Sequence, residues 1–158
     1  MKKLLCLLLA LLLLLCISAF ASFGDIVGMP SDYGRDNEAH TVAAFLEENG
    51  LEYGYATFRN SNLLTPLTDS RVKVRGIAVS SEDGIYTDLY QSSSRWYDES
   101  EHGKYEKYFI LLSESEYNAI AETGSWRELT ASAGVAEELR CGGWHVFVLR
   151  SDPQFVIK

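Results

Sequence analysis

The sequence predicts an α/β fold, in which a mixed β-sheet with packed helices ends in a C-terminal β-hairpin. Three observations lead to this fold class. Amphipathic helical segments alternate with short segments rich in β-branched and aromatic residues. Segment 108–112 is apolar without interruption, as expected of a central strand that is covered on both faces. Two strand-like segments flank Gly142 and Gly143, which is typical of a hairpin.

An N-terminal hydrophobic helix is expected to precede this single domain. Two lysines come before an unbroken apolar run at 4–20, and Ala19 and Ala21 give the small-x-small pattern of a cleavage site. Segment 1–21 is therefore predicted to be a signal peptide or, if it stays uncleaved, a membrane anchor through residues 4–20. Both interpretations predict export, so that the domain is secreted or anchored to the outer face of the cytoplasmic membrane.

The rest of the chain is predicted to divide into a linker or arm at 22–36 and an extracytoplasmic α/β domain at 37–158. The leader holds two of the 14 basic residues and none of the 22 acidic ones, which leaves 12 basic residues against 22 acidic. This surplus of negative charge repels nucleic acid, so no nucleic-acid partner is expected. Two of the three cysteines lie in the leader, and Cys141 alone cannot form an internal disulfide.

The first half of the domain is expected to contain a helix, a strand, a turn and a second strand. Four residues at helical spacing define the apolar face of the helix, namely Ala39, Val42, Ala43 and Leu46. Gly50 suits a left-handed cap at the end of this helix. Segment 53–58 is predicted to be a strand, and 60–68 a short helical turn at most. Segment 71–80 is predicted to be a strand with a β-bulge at Gly76, where the apolar alternation changes phase.

The second half of the domain has one segment without a clear pattern, 86–100, followed by the predicted central strand at 108–112. Ser113 and Glu116 have the spacing of a capping box, which predicts a helix that stops at Gly124. Two segments are predicted to form the hairpin, 135–141 and 144–150.

No pattern in the sequence identifies a catalytic or metal centre. His40, His102 and His145 are far apart and lack partners at ligand spacing, so neither a metal nor another cofactor is expected. Motifs of serine hydrolases and of phosphate-binding loops do not occur. Cys141 and His145 are interpreted as strand-end residues rather than as a nucleophile and its base. The many acidic residues leave open a small secreted hydrolase built on carboxylates.

Aromatic residues crowd two segments beside side chains that hydrogen-bond sugar hydroxyls. Because sugar rings pack their apolar faces on aromatic rings, such segments are typical of glycan sites. The candidate ligand-binding residues are Tyr55, Arg59, Asn60, Asn62, Trp96, Tyr97 and Asp98. Most of the aromatic residues are expected to fill the core instead, and Trp96 and Tyr97 are the expected exceptions because they lie in a polar segment.

Residues 51–75, LEYGYATFRNSNLLTPLTDSRVKVR, resemble the C-terminal extracytoplasmic region of bacterial multi-spanning glycosyltransferases of the dolichyl-phosphate-mannose mannosyltransferase type. The resemblance extends over 38–113 and includes the Trp-Tyr pair at 96–97. Family members often have Trp where this chain has Arg59. Their catalytic carboxylates lie in loops between membrane spans, and this chain has at most one such span. The resemblance therefore implies an accessory domain without catalytic activity of its own.

These observations lead to one expected function and two alternatives. The expectation is a non-catalytic exported or membrane-anchored accessory domain that binds an envelope glycan, a lipid-linked sugar or a membrane protein. The first alternative is a structural or interaction module without a small ligand. The second is the carboxylate-based hydrolase, which requires two acidic residues to converge in a cleft, one of them with a raised pKa.

Overall fold

The computed structural model describes residues 38–87, 89 and 92–157, and these form a seven-stranded mixed sheet between two layers of helices. The α/β class, the packed helices and the C-terminal hairpin predicted from the sequence are confirmed. The predicted leader at 1–21 and arm at 22–36 lie outside the described residues. In the part of the chain that is described, no helix is both long and apolar enough to cross a membrane.

The helices and strands have the following bounds, in chain order: α1 (Glu38–Glu48), β1 (Tyr53–Thr57), α2 (Phe58–Leu67), β2 (Lys73–Ser80), β3 (Gly84–Thr87), a 3-10 turn (Ser94–Tyr97), α3 (Glu99–His102), β4 (Tyr108–Ser113), α4 (Glu114–Ile120), α5 (Gly124–Ala133), β5 (Val135–Cys141), β6 (Trp144–Leu149) and β7 (Val156–Ile157).

The strands are ordered β5-β6-β4-β1-β2-β3-β7 across the sheet. β1 is the middle strand and pairs in parallel with β4 on one side and with β2 on the other. β3 runs antiparallel to β2, and β6 runs antiparallel to both β4 and β5. The parallel neighbours β1 and β4 therefore end at the same edge of the sheet, where α2 and α4 begin.

Each face of the sheet is covered by a different pair of helices, which explains why the central strands are apolar on both sides. α1 and α2 cover the first face, whose core includes Val42, Leu46, Leu64, Val74, Phe109, Leu111, Val146 and Val148. α4 and α5 cover the second face, whose core includes Tyr53, Tyr55, Ile77, Tyr108, Ile110, Ile120, Trp126 and Phe147. Each of these large apolar side chains contributes about 1.5–3 kcal/mol when it is fully buried.

Two local predictions at helix ends are confirmed. Gly50 has a φ of +64° after α1, and its amide donates to the carbonyl of Glu47. At the start of α4, the Ser113 amide donates to Glu116, and the Glu116 amide donates back to the Ser113 hydroxyl. Both motifs depend only on neighbouring residues, which is why the sequence predicts them.

The prediction of a short helical turn at 60–68 is wrong, because this segment belongs to the ten-residue helix α2. Pro66 lies in its last turn, where few backbone bonds remain to be lost. Thr68 closes this end, since its amide and its hydroxyl both donate to the carbonyl of Leu64. The buried Leu64 and Ser61 hold the helix against the sheet, so that packing outweighs local propensity.

The predicted bulge at Gly76 is also wrong, because β1 and β2 pair without interruption and Gly76 lies opposite Ala56. The apolar pattern changes phase since Val74 faces the first core and Ile77 faces the second. The register is instead irregular between Val135 and Glu137 in the hairpin.

Gly124 does not end the helix after the central strand; it begins a further helix, α5. Thr123 caps this helix, since its hydroxyl accepts a hydrogen bond from the amide of Trp126 at 3.4 Å. α4 ends at Ile120, and the two helices together cover the second face of the sheet.

Candidate functional site

A crevice opens at the edge of the sheet where β1 and β4 end. The chain leaves β1 through α2 on the first face and leaves β4 through α4 on the second. The two connections diverge between these neighbouring strands, which makes this edge the topological switch point of the sheet. Ligands of open α/β sheets bind in the crevice that such a divergence leaves outside the carboxyl ends of the strands.

The crevice has a volume of about 470 Å³, within the range of small-ligand sites. Its walls come from α1, α2 and α4, from the carboxyl ends of β1 and β4, and from the start of β6. The lining residues with polar side chains are Glu38, Thr57, Arg59, Asn60, Ser113 and Glu116. The apolar part of the lining consists of Ala39, Val42, Leu63, Leu64, Leu111 and Trp144.

Hydrogen-bond donors project from the start of α2. The Asn60 side-chain amide donates to the Thr57 hydroxyl at 3.0 Å and keeps a second N–H. Thr57 precedes the helix, and its side chain makes no capping bond to the helix backbone. Arg59 is exposed, and no carboxylate of the described residues lies within ion-pair distance of its guanidinium group. This guanidinium group is therefore free to bind an incoming acceptor.

Two carboxylates on the opposite walls are held in fixed positions. Glu38 accepts a hydrogen bond from the indole nitrogen of Trp144. Glu116 accepts from the amide and from the hydroxyl of Ser113, at 2.7 and 2.9 Å. A carboxylate has about four lone-pair positions, so both side chains retain acceptor capacity toward a ligand.

The half-buried Trp144 supplies an aromatic surface between these polar groups, and Leu63 on α2 is 42% exposed. The crevice therefore combines apolar side chains with hydrogen-bond donors and acceptors in one lining. This combination suits a ligand that carries many hydroxyl groups and has one apolar face.

Two of the residues predicted from the sequence, Arg59 and Asn60, line this crevice. Asn62, two residues after Asn60 on α2, is exposed and is not part of the lining. The remaining predicted residues lie with the second face of the sheet, in and beside the aromatic core: Tyr55, Trp96, Tyr97 and Asp98.

Tyr55 is fully buried, as expected of a core aromatic residue, and it belongs to a polar network. Its hydroxyl donates to Asp152 at 2.5 Å, and Nε2 of His102 lies 3.2 Å from the other carboxylate oxygen. Nδ1 of His102 lies 2.7 Å from the carbonyl oxygen of Gly103. Burial raises the pKa of Asp152 above its ordinary value, although the bonds from Tyr55 and His102 act in the opposite direction.

Trp96, Tyr97 and Asp98 hold the segment 92–105 against the sheet. The carbonyl of Trp96 accepts a hydrogen bond from the Tyr53 hydroxyl at 2.7 Å. The Tyr97 hydroxyl contacts the carbonyl oxygen of Gly76, and its ring packs on the second core. Asp98 caps α3 by accepting from Ser100, and these bonds lower the pKa of its carboxyl group.

Trp144 and the two glutamates were not predicted as site residues. From the sequence Trp144 is a hairpin strand residue, and Glu116 is a capping residue. One signal is present, since the predicted strands 53–58 and 108–112 are each followed by a segment with some helical character. Without the strand order, however, the sequence does not show that these two ends are neighbours.

The structure also shows where Cys141 and His145 lie, the two residues considered as a nucleophile and its base. Cys141 faces the first core, whereas His145 contacts Tyr117 on the second face, so the two side chains lie on opposite sides of the sheet. His145 is buried with its ring nitrogens 2.9 and 3.0 Å from Glu114 and Glu138. Within the described ranges, no three side chains of His, Cys, Asp or Glu are grouped to hold a metal ion.

Comparisons with protein-family models, with curated proteins and with solved structures found no match to this chain. The resemblance to the extracytoplasmic region of membrane glycosyltransferases therefore stays an expectation from the sequence. The class of protein rests on the fold and the crevice: an α/β domain with a potential ligand site at its topological switch point.

Proposed function

We propose that this protein is a non-catalytic exported domain that binds an envelope saccharide in the crevice between β1 and β4. The observation that carries the proposal is the crevice itself, where an aromatic side chain, two donors and two carboxylates surround one open volume. The resemblance in residues 51–75 is consistent with a domain that binds sugars without transferring them.

The arrangement of polar groups favours a neutral saccharide. Glu38 and Glu116 accept hydrogen bonds from protein groups and have lone pairs left for sugar hydroxyls. Arg59 and Asn60 offer donors from the facing helix. Two carboxylates in the same crevice repel a ligand that is itself rich in negative charge.

Trp144 gives the saccharide a surface for its apolar face. Its ring is half-buried, packs partly on the first core, and is oriented by the bond from its indole nitrogen to Glu38. A ring held in this way loses little conformational entropy when a ligand binds, which favours affinity.

A second candidate function is a structural or interaction module without a small ligand. It is favoured by the burial of the aromatic residues on the second face, since Tyr53 and Tyr55 are 0% exposed and Tyr108 is 1% exposed. These three side chains stabilise the core and are not available to a ligand.

Calorimetric titration of the full chain with mannobiose and with N,N′-diacetylchitobiose distinguishes the two functions. The full chain is kept in a detergent without a sugar headgroup, because segment 4–20 is strongly apolar. We expect saturable binding that Asn60→Ala weakens by about three- to tenfold through loss of a hydrogen bond.

Asn62→Ala is the matched control, since it removes the same amide from the same helix outside the crevice. It should leave the affinity unchanged. Binding that is equal in both variants, or no binding of either disaccharide, would contradict the proposed site and favour the interaction module.

A further inference from the structure

The second face of the sheet carries a cationic surface beside the segment 92–105, formed by Lys73, Arg75, Trp96 and Tyr105. Lys73 and Arg75 alternate along β2, so that both side chains lie on the same side of the strand. All four side chains are partly exposed, and none of them lines the crevice.

Among the described residues, the two cations of this surface form no ion pair, although the chain has a large excess of carboxylates. Four other arginines pair within 4 Å with a glutamate: Arg71 with Glu47, Arg95 with Glu101, Arg127 with Glu122 and Arg140 with Glu114. Among the described residues, no carboxylate lies within ion-pair distance of Lys73 or Arg75. The described residues thus supply no counter-charge within ion-pair distance of these two groups.

Aromatic side chains hold the two cations in place. Nζ of Lys73 donates to the Tyr105 hydroxyl at 3.0 Å, and Nε of Arg75 donates to the Tyr53 hydroxyl at 3.3 Å. The guanidinium carbon of Arg75 lies 5.0 Å from the centroid of the Trp96 ring, within the range of a cation–π interaction. Both charged groups are therefore positioned before any ligand arrives.

Each cation keeps N–H donors that the described residues do not use. A guanidinium group has five N–H donors and an ammonium group has three, and the structure assigns one of each to a tyrosine hydroxyl. Two parallel N–H groups at the edge of the guanidinium plane match the two oxygens of a carboxylate or phosphate group.

The acids of the adjacent segment are engaged elsewhere and leave this surface positive. Glu99 accepts from the Tyr108 hydroxyl at 2.8 Å, and Asp98 accepts from Ser100. Glu101 lies 3.8 Å from Nε of Arg95. Further acids lie nearby: Asp152 acts electrostatically on Tyr53, and the groove that Tyr105 lines also contains Glu52 and Glu106, together with Lys104 and Lys107.

We propose that Lys73, Arg75, Trp96 and Tyr105 form a second binding site, which takes an oxyanion on a sugar, either a carboxylate or a phosphate group. The oxyanion binds between the two cations, and the sugar lies against the exposed parts of the aromatic rings. This site is separate from the crevice and does not depend on the function proposed for it.

The test is a titration of the ¹⁵N-labelled full chain with glucuronate, glucose 1-phosphate and glucose, followed through the indole N–H signals. The chain has three tryptophans, and each reports on one place: Trp96 on the cationic surface, Trp144 on the crevice and Trp126 on the buried core. We expect an anionic probe, but not glucose, to shift the Trp96 signal. A shift with only one of the two anions identifies the oxyanion that the site takes.

Lys73→Gln and Arg75→Gln should each weaken this binding by about tenfold or more, as expected for a charge-assisted hydrogen bond. Arg71→Gln is the control, since Arg71 is exposed, paired with Glu47 and absent from the cationic surface. An increase in NaCl from about 50 to about 500 mM should weaken the binding through screening.

The proposal is overturned if neither anion shifts the Trp96 signal, or if Arg71→Gln weakens binding as much as Arg75→Gln. The Trp126 signal reports whether Arg75→Gln folds. If this variant does not fold, the titrations of the wild type and of Lys73→Gln test the proposal instead. A shift of Trp144 without a shift of Trp96 would support the crevice and contradict this second site, so the two proposals fail separately.

Discussion

Tyr55 shows how a single residue connects β1 with the C-terminal segment. Its hydroxyl donates to Asp152 at 2.5 Å, and both residues are buried. Tyr55→Phe keeps the ring and removes the donor, which leaves a buried carboxylate with one partner fewer. We expect the free energy of unfolding to fall by about 1–3 kcal/mol in denaturant titrations.

Tyr117→Phe is the control for this substitution. The Tyr117 ring packs on Trp126 and Phe147, and its hydroxyl has no hydrogen bond to another described residue. The free energy of unfolding should change by less than about 0.5 kcal/mol. If the two variants lose equal stability, the bond to Asp152 is not a significant source of stability.

The raised pKa of Asp152 predicts that the stability of the folded protein depends on pH. Burial raises its pKa in the folded protein, so the folded state binds a proton more readily than the unfolded state. The contribution of this group to stability is therefore fully present below the unfolded pKa of about 3.9 and is lost as the pH rises through the raised pKa.

Asp152→Asn isolates this contribution, since the amide does not titrate. The difference in unfolding free energy between wild type and Asp152→Asn should decrease as the pH rises above about 4. Denaturant titrations at several pH values measure it. A difference that increases with pH would show that the hydrogen bonds from Tyr55 and His102 lower the pKa of Asp152 more than burial raises it.

At the scale of elements, the packing of β1 against β4 depends on Gly54. A Cβ atom at this position would lie 2.4 Å from the ring of Phe109, which is itself 0% exposed. Gly54→Ala forces the ring or the strand to move, and we expect a loss of about 1–3 kcal/mol of unfolding free energy.

Gly143→Ala in the hairpin turn is the matched substitution, because no heavy atom lies within 4 Å of a Cβ built there. It should change stability by less than about 0.5 kcal/mol in the same thermal or denaturant measurement. Equal losses in both variants would show that backbone freedom, rather than the contact with Phe109, decides the effect.

The elements that could be predicted from the sequence are those with local signals. The central strand 108–112 is recognised by its continuous apolar character, and the start of α4 by Ser113 and Glu116. α2 and α5 are harder to predict because each has only a few buried apolar residues, and tertiary packing rather than propensity holds them.

At the scale of the whole molecule, the crevice is a product of strand order. Arg59 and Asn60 are predicted site residues that line it, while Trp96 and Tyr97, predicted with them, lie on the second face of the sheet. Their side chains are separated by the sheet because β1 leads to α2 on the first face. Sequence patterns give the chemistry of such residues but not the three-dimensional neighbours that long-range strand pairing creates.

The distribution of charge supports two separate roles for the two faces. The crevice at the ends of β1 and β4 contains two carboxylates and suits a neutral sugar. The cationic surface contains Lys73 and Arg75 without acidic partners among the described residues.

The most direct test of the crevice is an indole titration of the ¹⁵N-labelled full chain with mannobiose and N,N′-diacetylchitobiose. Saccharide binding in the crevice predicts a saturable shift of the Trp144 signal, while the signal of Trp126 in the core stays in place. No shift of Trp144 at saturating disaccharide, or an equal shift of both signals, would contradict saccharide binding in the crevice.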